Sequence, residues 1–244
     1  MIVGKKAEKP AGSKKKAMVL CSGGLDSTTV LYFAIKEGFE VYPVSFEYKQ
    51  RHAVELAFVK KTLEKLAIVD RWIVFHLDFT QIGASALTDA KIAVPQGRSP
   101  SEMEASIPAS YVPLRNTIFL TYAAAYAESK DIQDIFIGVN VLDYSGYPDC
   151  RPRYIESIEQ TLNLGSKYVD DPAKKLTIHA PLINKSKAGI IQLGRSLGVD
   201  YTLTWSCYNP IIKDGRIEPC GTCDSCILRA KGFAEAGSSG ERPS

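Results

Sequence analysis

The chain has 244 residues, 45% of them apolar and 23% charged, with a formal net charge of +3, which suits a globular protein with one sizeable core and leaves room for an appendage. So small a charge gives no argument for nucleic acid, and no run approaches the roughly 18 apolar residues of a membrane-crossing helix. A cytoplasmic setting is therefore expected, and there six cysteines do not read as a disulfide scaffold.

The Lys-rich residues 1–15 lack the apolar core of a signal peptide and are expected to form a disordered leader. "KAMVLC" (residues 16–21) predicts a short buried strand. "STTVLYFAIKEG" predicts a helix, with Val30, Leu31, Ala34 and Ile35 at helical spacing and Gly38 at its C-terminal cap. "FEVYPVSFEY" alternates as a strand, "AVELAFVKKTLEKLAI" puts Leu56, Val59, Leu63 and Leu66 on one helical side, and "RWIVFHLD" is a third strand. Strand and helix in alternation imply a parallel sheet. Residues 79–113 show no periodicity and read as a long structureless loop, of the kind used as a lid or binding loop. "NTIFLTYAAAYAESK" is a helix, "DIFIGVN" a strand, "DYSGYPDCRP" a loop, "RYIESIEQTLNLGS" a helix and "LTIHAPL" a last strand. Ser186 is a candidate N-cap for the helix "SKAGIIQLGRSLG". The fold class is thus α/β, a doubly wound, mostly parallel sheet over residues 16–200. A small cysteine-bearing lobe follows over 201–237, and residues 238–244 form an expected disordered tail.

The first strand feeds its helix through "CSGGLDSTT". The first N–H groups of a helix have no intrahelical partner and carry partial positive charge, which makes such a turn an anion site. Gly23 and Gly24 allow close backbone approach, and Ser22, Ser27, Thr28 and Thr29 add hydroxyls. Asp26 is out of place beside phosphate unless it holds Mg²⁺ or caps the helix; a plain capped turn is the alternative. No Walker A lysine and no G-x-G-x-x-G fingerprint is present. "SGGLDS" instead resembles the pyrophosphate loop of the PP-loop ATP pyrophosphatases, which implies adenylation of a carbonyl or carboxylate oxygen by ATP with release of pyrophosphate.

Cys207 and then "CGTCDSC", with Cys220, Cys223 and Cys226 in a C-x₂-C-x₂-C pattern, suit a tetrahedral Cys₄ zinc site of structural type. An iron–sulfur cluster and thiol redox or persulfide chemistry are the competing readings.

The ordered set "QRHAVEL", "YVPLRNTIFL", "IGVNVLDYSGYPDCRP", "APLINKSKAGIIQLG", "GVDYTLTWSCY" and "CGTCDSCILRAKGFAEAG" resembles the 7-cyano-7-deazaguanine synthase family from about residue 16 to 237. The resemblance implies ATP-dependent conversion of 7-carboxy-7-deazaguanine and ammonia to the nitrile through adenylated acid and amide, within queuosine or archaeosine biosynthesis. It also implies Mg²⁺ with the ATP, one zinc ion per subunit and a homodimer, with no direct nucleic acid and no membrane. Asp26, Lys187 and Arg115 are the implied catalytic residues, Lys187 and Arg115 as cations for phosphate or substrate carboxylate. The implied ATP site is Cys21, Ser22, Gly23, Gly24, Leu25, Asp26, Ser27, Thr28, Thr29, Val30 and Leu31. Candidates for the deazaguanine substrate are Arg51, His52, Asn116, Asp143, Tyr144, Tyr147 and Asp149, the acids accepting from the base edge and a tyrosine stacking on the ring. Any of these can instead be a turn, cap or surface residue; Cys150 and Cys21 are expected to be packed rather than reactive. Two positions depart from the family pattern: Lys49 where glycine is usual, and Leu114 where a small residue is common.

Two other functions compete. A PP-loop tRNA thiolase would need an RNA-binding surface, for which the body of the chain has no basic block. A non-catalytic zinc-ribbon module would be expected to lose loop residues, yet Ser22, Gly23, Gly24, Asp26 and Ser27 are all in place.

Overall fold

A computed structural model of the chain describes residues 14–49, 54–142 and 147–237. The expected tail and the leader up to residue 13 lie outside the described residues. Strand β1 (Lys16–Leu20) is apolar beyond Lys16 and buried on both sides, as a central strand of a parallel sheet must be. Helix α1 (Leu25–Lys36) follows, and Gly38, at φ +88°, turns the chain into β2 (Glu40–Glu47). The path continues through α2 (Val54–Lys65), β3 (Ile73–His76), α3 (Pro100–Glu104), α4 (Arg115–Ser129), β4 (Asp134–Phe136), α5 (Pro152–Leu164), β5 (Thr177–His179) and α6 (Lys187–Ser196). It ends in the hairpin β6 (Ile211–Lys213) and β7 (Arg216–Glu218) and in α7 (Asp224–Glu235).

Among the described residues one sheet has the strand order β3-β2-β1-β4-β5, with every pairing parallel. The alternation of β1 divides the core between the two faces. Met18 and Leu20 pack with Leu120, Ala123 and Ile158 of α4 and α5. Ala17 and Val19 pack with Leu31, Leu63, Ile190 and Ile191 of α1, α2 and α6. Tyr201 and Phe233, both fully buried, join that second cluster, so the C-terminal segment is rooted in the main core. The fold is the expected doubly wound one. The chain winds outward from β1 through β2 to β3, then returns to β4 on the other side. That reversal opens a crevice at the C-terminal ends of β1 and β4, where open α/β sheets bind ligands.

Residues 79–113 differ from expectation. They hold a 3₁₀ turn (Phe79–Gln81) and α3, whose capping box joins Ser99 and Glu102. Ser85, Ala86, Leu87, Val94 and Met103 are buried. Side chains set each short bend: the Asp78 carboxylate accepts from Thr80 N–H, Ser85 Oγ from Leu87 N–H and Asp89 from Lys91 N–H. Bends this brief leave no periodic trace in sequence. The segment is also stitched to the C-terminal cysteines. Gln96 bridges Cys223, Gly97 N–H donates to Thr222 O at 2.8 Å, and Arg98 grips the buried Asp224 carboxylate with two nitrogens.

Candidate active site and metal centre

The turn after β1 wraps around Ser27. Ser22 N–H donates to Ser27 Oγ at 3.1 Å, the two hydroxyls lie 3.0 Å apart, and Ser27 Oγ also reaches Gly24 O. Gly23 sits at φ +80°, and a Cβ there would fall 2.5 Å from Glu55 O, so only glycine fits. Gly24 is the N-cap of α1 and makes no side-chain cap bond, so the first turn of the helix faces the crevice without a capping side chain. Gly138, just past β4, comes so close under this turn that a Cβ would stand 3.1 Å from Ser27 N.

Asp26 does not cap α1. Both its oxygens accept from Lys187 Nζ, at 2.9 and 2.8 Å, and Asn140 Nδ2 donates to Oδ2 at 3.3 Å. Lys187 opens α6, with Ser186 as its N-cap accepting from Gly189 N–H at 3.2 Å. On the opposite wall Arg115, first residue of α4, donates to Tyr48 Oη at 3.3 Å. Burial works against its charge, but Tyr48, Tyr147 and Tyr208 outweigh burial and shift the guanidinium further upward. These groups line one cavity of about 250 Å³. Its floor is apolar and aromatic, with Phe46 and Phe119 stacked 4.1 Å apart.

The cavity gathers Cys21, Ser22, Gly24, Leu25, Asp26 and Ser27 with Arg115, Asn116, Tyr147 and Lys187. It does not gather the rest of the predicted ATP site. Thr29 Oγ1 is bonded to Leu25 O and to Tyr201 Oη, each at 2.8 Å, and Val30 and Leu31 point into the core. Gly23 and Thr28 lie behind the loop, beside Val59 and Leu63. The helical stripe that identified α1 is the face turned away from the crevice. Asp149 is buried, and its Oδ2 accepts from Asn116 N–H at 2.9 Å, so it caps α4 from outside the helix. Asn116 Nδ2 in turn donates to Asp149 O and Cys150 Sγ. Burial pushes the Cys150 and Cys21 thiols up to about 12, which makes both poor nucleophiles. Arg51, His52, Asp143 and Tyr144 lie outside the described residues. Both departures from the family pattern have left-handed backbone, Lys49 at φ 54° and Leu114 at φ 52°. At Lys49, where glycine is usual, that conformation explains why.

Sequence reasoning missed several cavity residues. Asn140 follows β4 at the switch point and was accessible to that rule. Trp205 and Arg229 gave no local signal. Trp205 N–H donates to Gly23 O at 2.8 Å, and its indole N–H reaches Cys207 O at 3.0 Å. Arg229 is held by Thr204, Ser206 and Tyr201 O above the Phe233 ring.

Behind that wall the sulfurs of Cys207, Cys220, Cys223 and Cys226 all lie within 4.8 Å of one another. A tetrahedral ion at the usual Zn–S length of about 2.3 Å sets its sulfurs about 3.8 Å apart, and Cys207 and Cys220 are 3.6 Å apart. Backbone N–H groups of Asn209 and Cys220 donate to Cys207 Sγ, and that of Cys223 to Cys220 Sγ. Hydrogen bonds among the thiols draw Cys223 far below its usual range and push Cys207 and Cys226 above theirs. Four converging sulfurs with N–H donors behind them fit a single metal ion.

A family model described as queuosine biosynthesis protein QueC matches residues 16–237. The chain is 53% identical over 224 residues to the 7-cyano-7-deazaguanine synthase of Desulfatibacillum aliphaticivorans, covering 92% of this chain and 94% of that protein. The enzyme of the same name from Rhodopirellula baltica is 49% identical over 229 residues, 94% and 90% of the two chains. That from Thermoplasma volcanium is 54% identical over 223 residues, 91% and 88%.

Proposed function

The chain belongs to the queuosine biosynthesis protein QueC family, and from that premise we propose that it is an ATP-dependent 7-cyano-7-deazaguanine synthase acting on 7-carboxy-7-deazaguanine and ammonia. The observation that carries the reading is the meeting of Lys187 and Asp26 at the mouth of the glycine turn, inside a cavity that also holds Arg115. A cation, a carboxylate and uncapped helix N–H groups are what the departure of pyrophosphate requires.

In this reading the substrate carboxylate attacks the α-phosphorus of ATP and pyrophosphate leaves against the turn and Lys187. Ammonia displaces AMP to give the amide. The amide oxygen is adenylated by a second ATP with release of a second pyrophosphate, and loss of AMP and both N–H protons leaves the nitrile. Asp26 would be the carboxylate to hold Mg²⁺ carried in with the nucleotide, and the ion would supply charge neutralisation for the phosphates beside Lys187. Arg115 faces the substrate carboxylate, and its tyrosine surround keeps it charged and aimed. Zinc at the four cysteines has a structural role, because all four positions of a tetrahedral ion are taken by protein sulfur. The same reading takes 16–200 as the nucleotide-binding domain and 201–237 as the zinc lobe, and includes a homodimer, a cytoplasmic setting and no direct contact with nucleic acid. Among the described residues no helix is long and apolar enough to cross a membrane.

The test is product analysis by mass spectrometry after incubation with ATP, Mg²⁺, an ammonium salt and 7-carboxy-7-deazaguanine. Amide and then nitrile are expected, with AMP and pyrophosphate. An untouched acid in the presence of bound ATP would refute the substrate assignment and favour sulfur transfer to tRNA.

A further inference from the structure

Gly232 lies in the last two turns of α7, which a glycine weakens relative to alanine. Its backbone does not explain the residue, because it is not among the glycines at positive φ. Its surroundings do. A Cβ at Gly232 would stand 2.3 Å from Lys187 Cγ and 2.8 Å from Lys187 Cβ, with Ile191 Cδ1 at 3.1 Å. These lysine atoms are the root of the side chain, which cannot swing aside as its tip can. Lys187 thus leaves α6 through the space that the missing side chain provides. Beyond it, Nζ reaches both oxygens of Asp26, and the lysine side chain is only 12% exposed. A lysine in the first turn of a helix gains nothing from the macrodipole, so its place depends on this packing and on Asp26.

We propose that Gly232 is a positioning residue for the reaction: its lack of a side chain lets Lys187 lie between α6 and α7 with its ammonium group aimed at the glycine turn. The proposal rests on the role given to Lys187 above. It extends that role to α7, whose one face carries Cys226, Arg229 and Phe233 at helical spacing beside Gly232. Alanine at 232 must turn Lys187 to another rotamer or push the two helices apart, and either moves Nζ off Asp26.

The experiment compares Gly232→Ala, Lys187→Ala and the double variant, each with its metal. Steady-state kinetics, calorimetric binding of inorganic pyrophosphate with Mg²⁺, metal content and melting are read for each. Gly232→Ala is expected to lose at least 10-fold in kcat, with KM for 7-carboxy-7-deazaguanine within 2-fold of the parent. The double variant should be no slower than Lys187→Ala alone, because a residue acting through Lys187 has nothing left to act on. It should also melt higher than Gly232→Ala, since truncating the lysine removes the Cγ at 2.3 Å and leaves only the lesser approach to Cβ at 2.8 Å. If Gly232→Ala does not fold, recovery of folding in the double variant carries the same conclusion, and no recovery overturns it. Parental kcat in Gly232→Ala, or losses that multiply in the double variant, also overturn it. Should the parent make no nitrile, the reading of the reaction fails by itself. The pyrophosphate and melting comparisons still judge the steric coupling.

Discussion

Lys187→Met removes the ammonium group and keeps an unbranched stem for the gap beside Gly232. The two contacts to Asp26 at 2.8 and 2.9 Å correspond to a gross attraction of about 6 kcal/mol at an effective dielectric constant near 20. Little of this is net folding energy. Asp26 keeps the Asn140 amide, and a quarter of its side chain is open to water, 26% against 12% for Lys187. Loss of the lysine is therefore expected to cost about 1 kcal/mol of stability. Turnover is different, because in the proposed reaction pyrophosphate gains charge at this point, where Lys187 is the cation that meets Asp26 among the contacts described. Removing one such preorganised donor costs about 10²- to 10³-fold in kcat, roughly 3–4 kcal/mol. The assay is AMP release and nitrile yield at saturating ATP, beside urea melts of the same preparations. Parental turnover in Lys187→Met would refute the reasoning, as would a loss in rate matched by an equal loss in stability.

Cys223→Ser should lose the metal and, with it, the order of the Gln96–Arg98 stitch; metal analysis and protease cleavage near residue 97 test this, and retained metal with parental melting counts against it. Tyr201→Phe removes a fully buried hydroxyl bonded to Thr29 Oγ1 at 2.8 Å and Ile190 O at 3.2 Å. A drop of about 1–2 kcal/mol in urea unfolding is expected, with Thr29 still held by Leu25 O, and an unchanged midpoint refutes it. Burial acts against the charge of Asp134, but hydrogen bonds from His179 and Lys15 outweigh it and hold its carboxyl below the usual range. A depressed carboxylate adds stability above its unfolded pKa of about 3.9, and that stability fades as pH falls through the folded value. Asp134→Asn should therefore lose less stability than the parent between about pH 5 and the acid end; parallel losses in the two would exclude Asp134 as a source.

The α/β order, the glycine turn and the four cysteines were legible because each is local. An apolar run, a Gly-Gly step and a C-x₂-C spacing report on neighbours in sequence. Ser186 was legible as a cap for the same reason. Thr29, Val30 and Leu31 turn their side chains away from the cavity, because nearness to the loop in sequence says nothing of which helical face meets it. Residues 79–113 left no periodic signal because Asp78, Ser85, Asp89 and Ser99 build their bends with side chains bonded two or three residues on. Asn140, Trp205, Arg229 and Gly232 matter through partners far along the chain, and no window of sequence contains both ends of such a contact.

The bond from Trp205 N–H to Gly23 O has a consequence for synthesis. The glycine turn is among the first parts of the described chain to leave the ribosome, and the residues that brace it are among the last. Gly23 O finds Trp205, Asp26 finds Lys187, and the wall bearing Arg229 arrives only with α7. A nascent chain can pair β1 with β2 and β3 early, yet the proposed place for ATP is finished only when the C-terminal segment has emerged and packed. An incomplete chain released before Trp205 would therefore not hold nucleotide in this geometry, so the proposed adenylation cannot run without the lobe that completes its site.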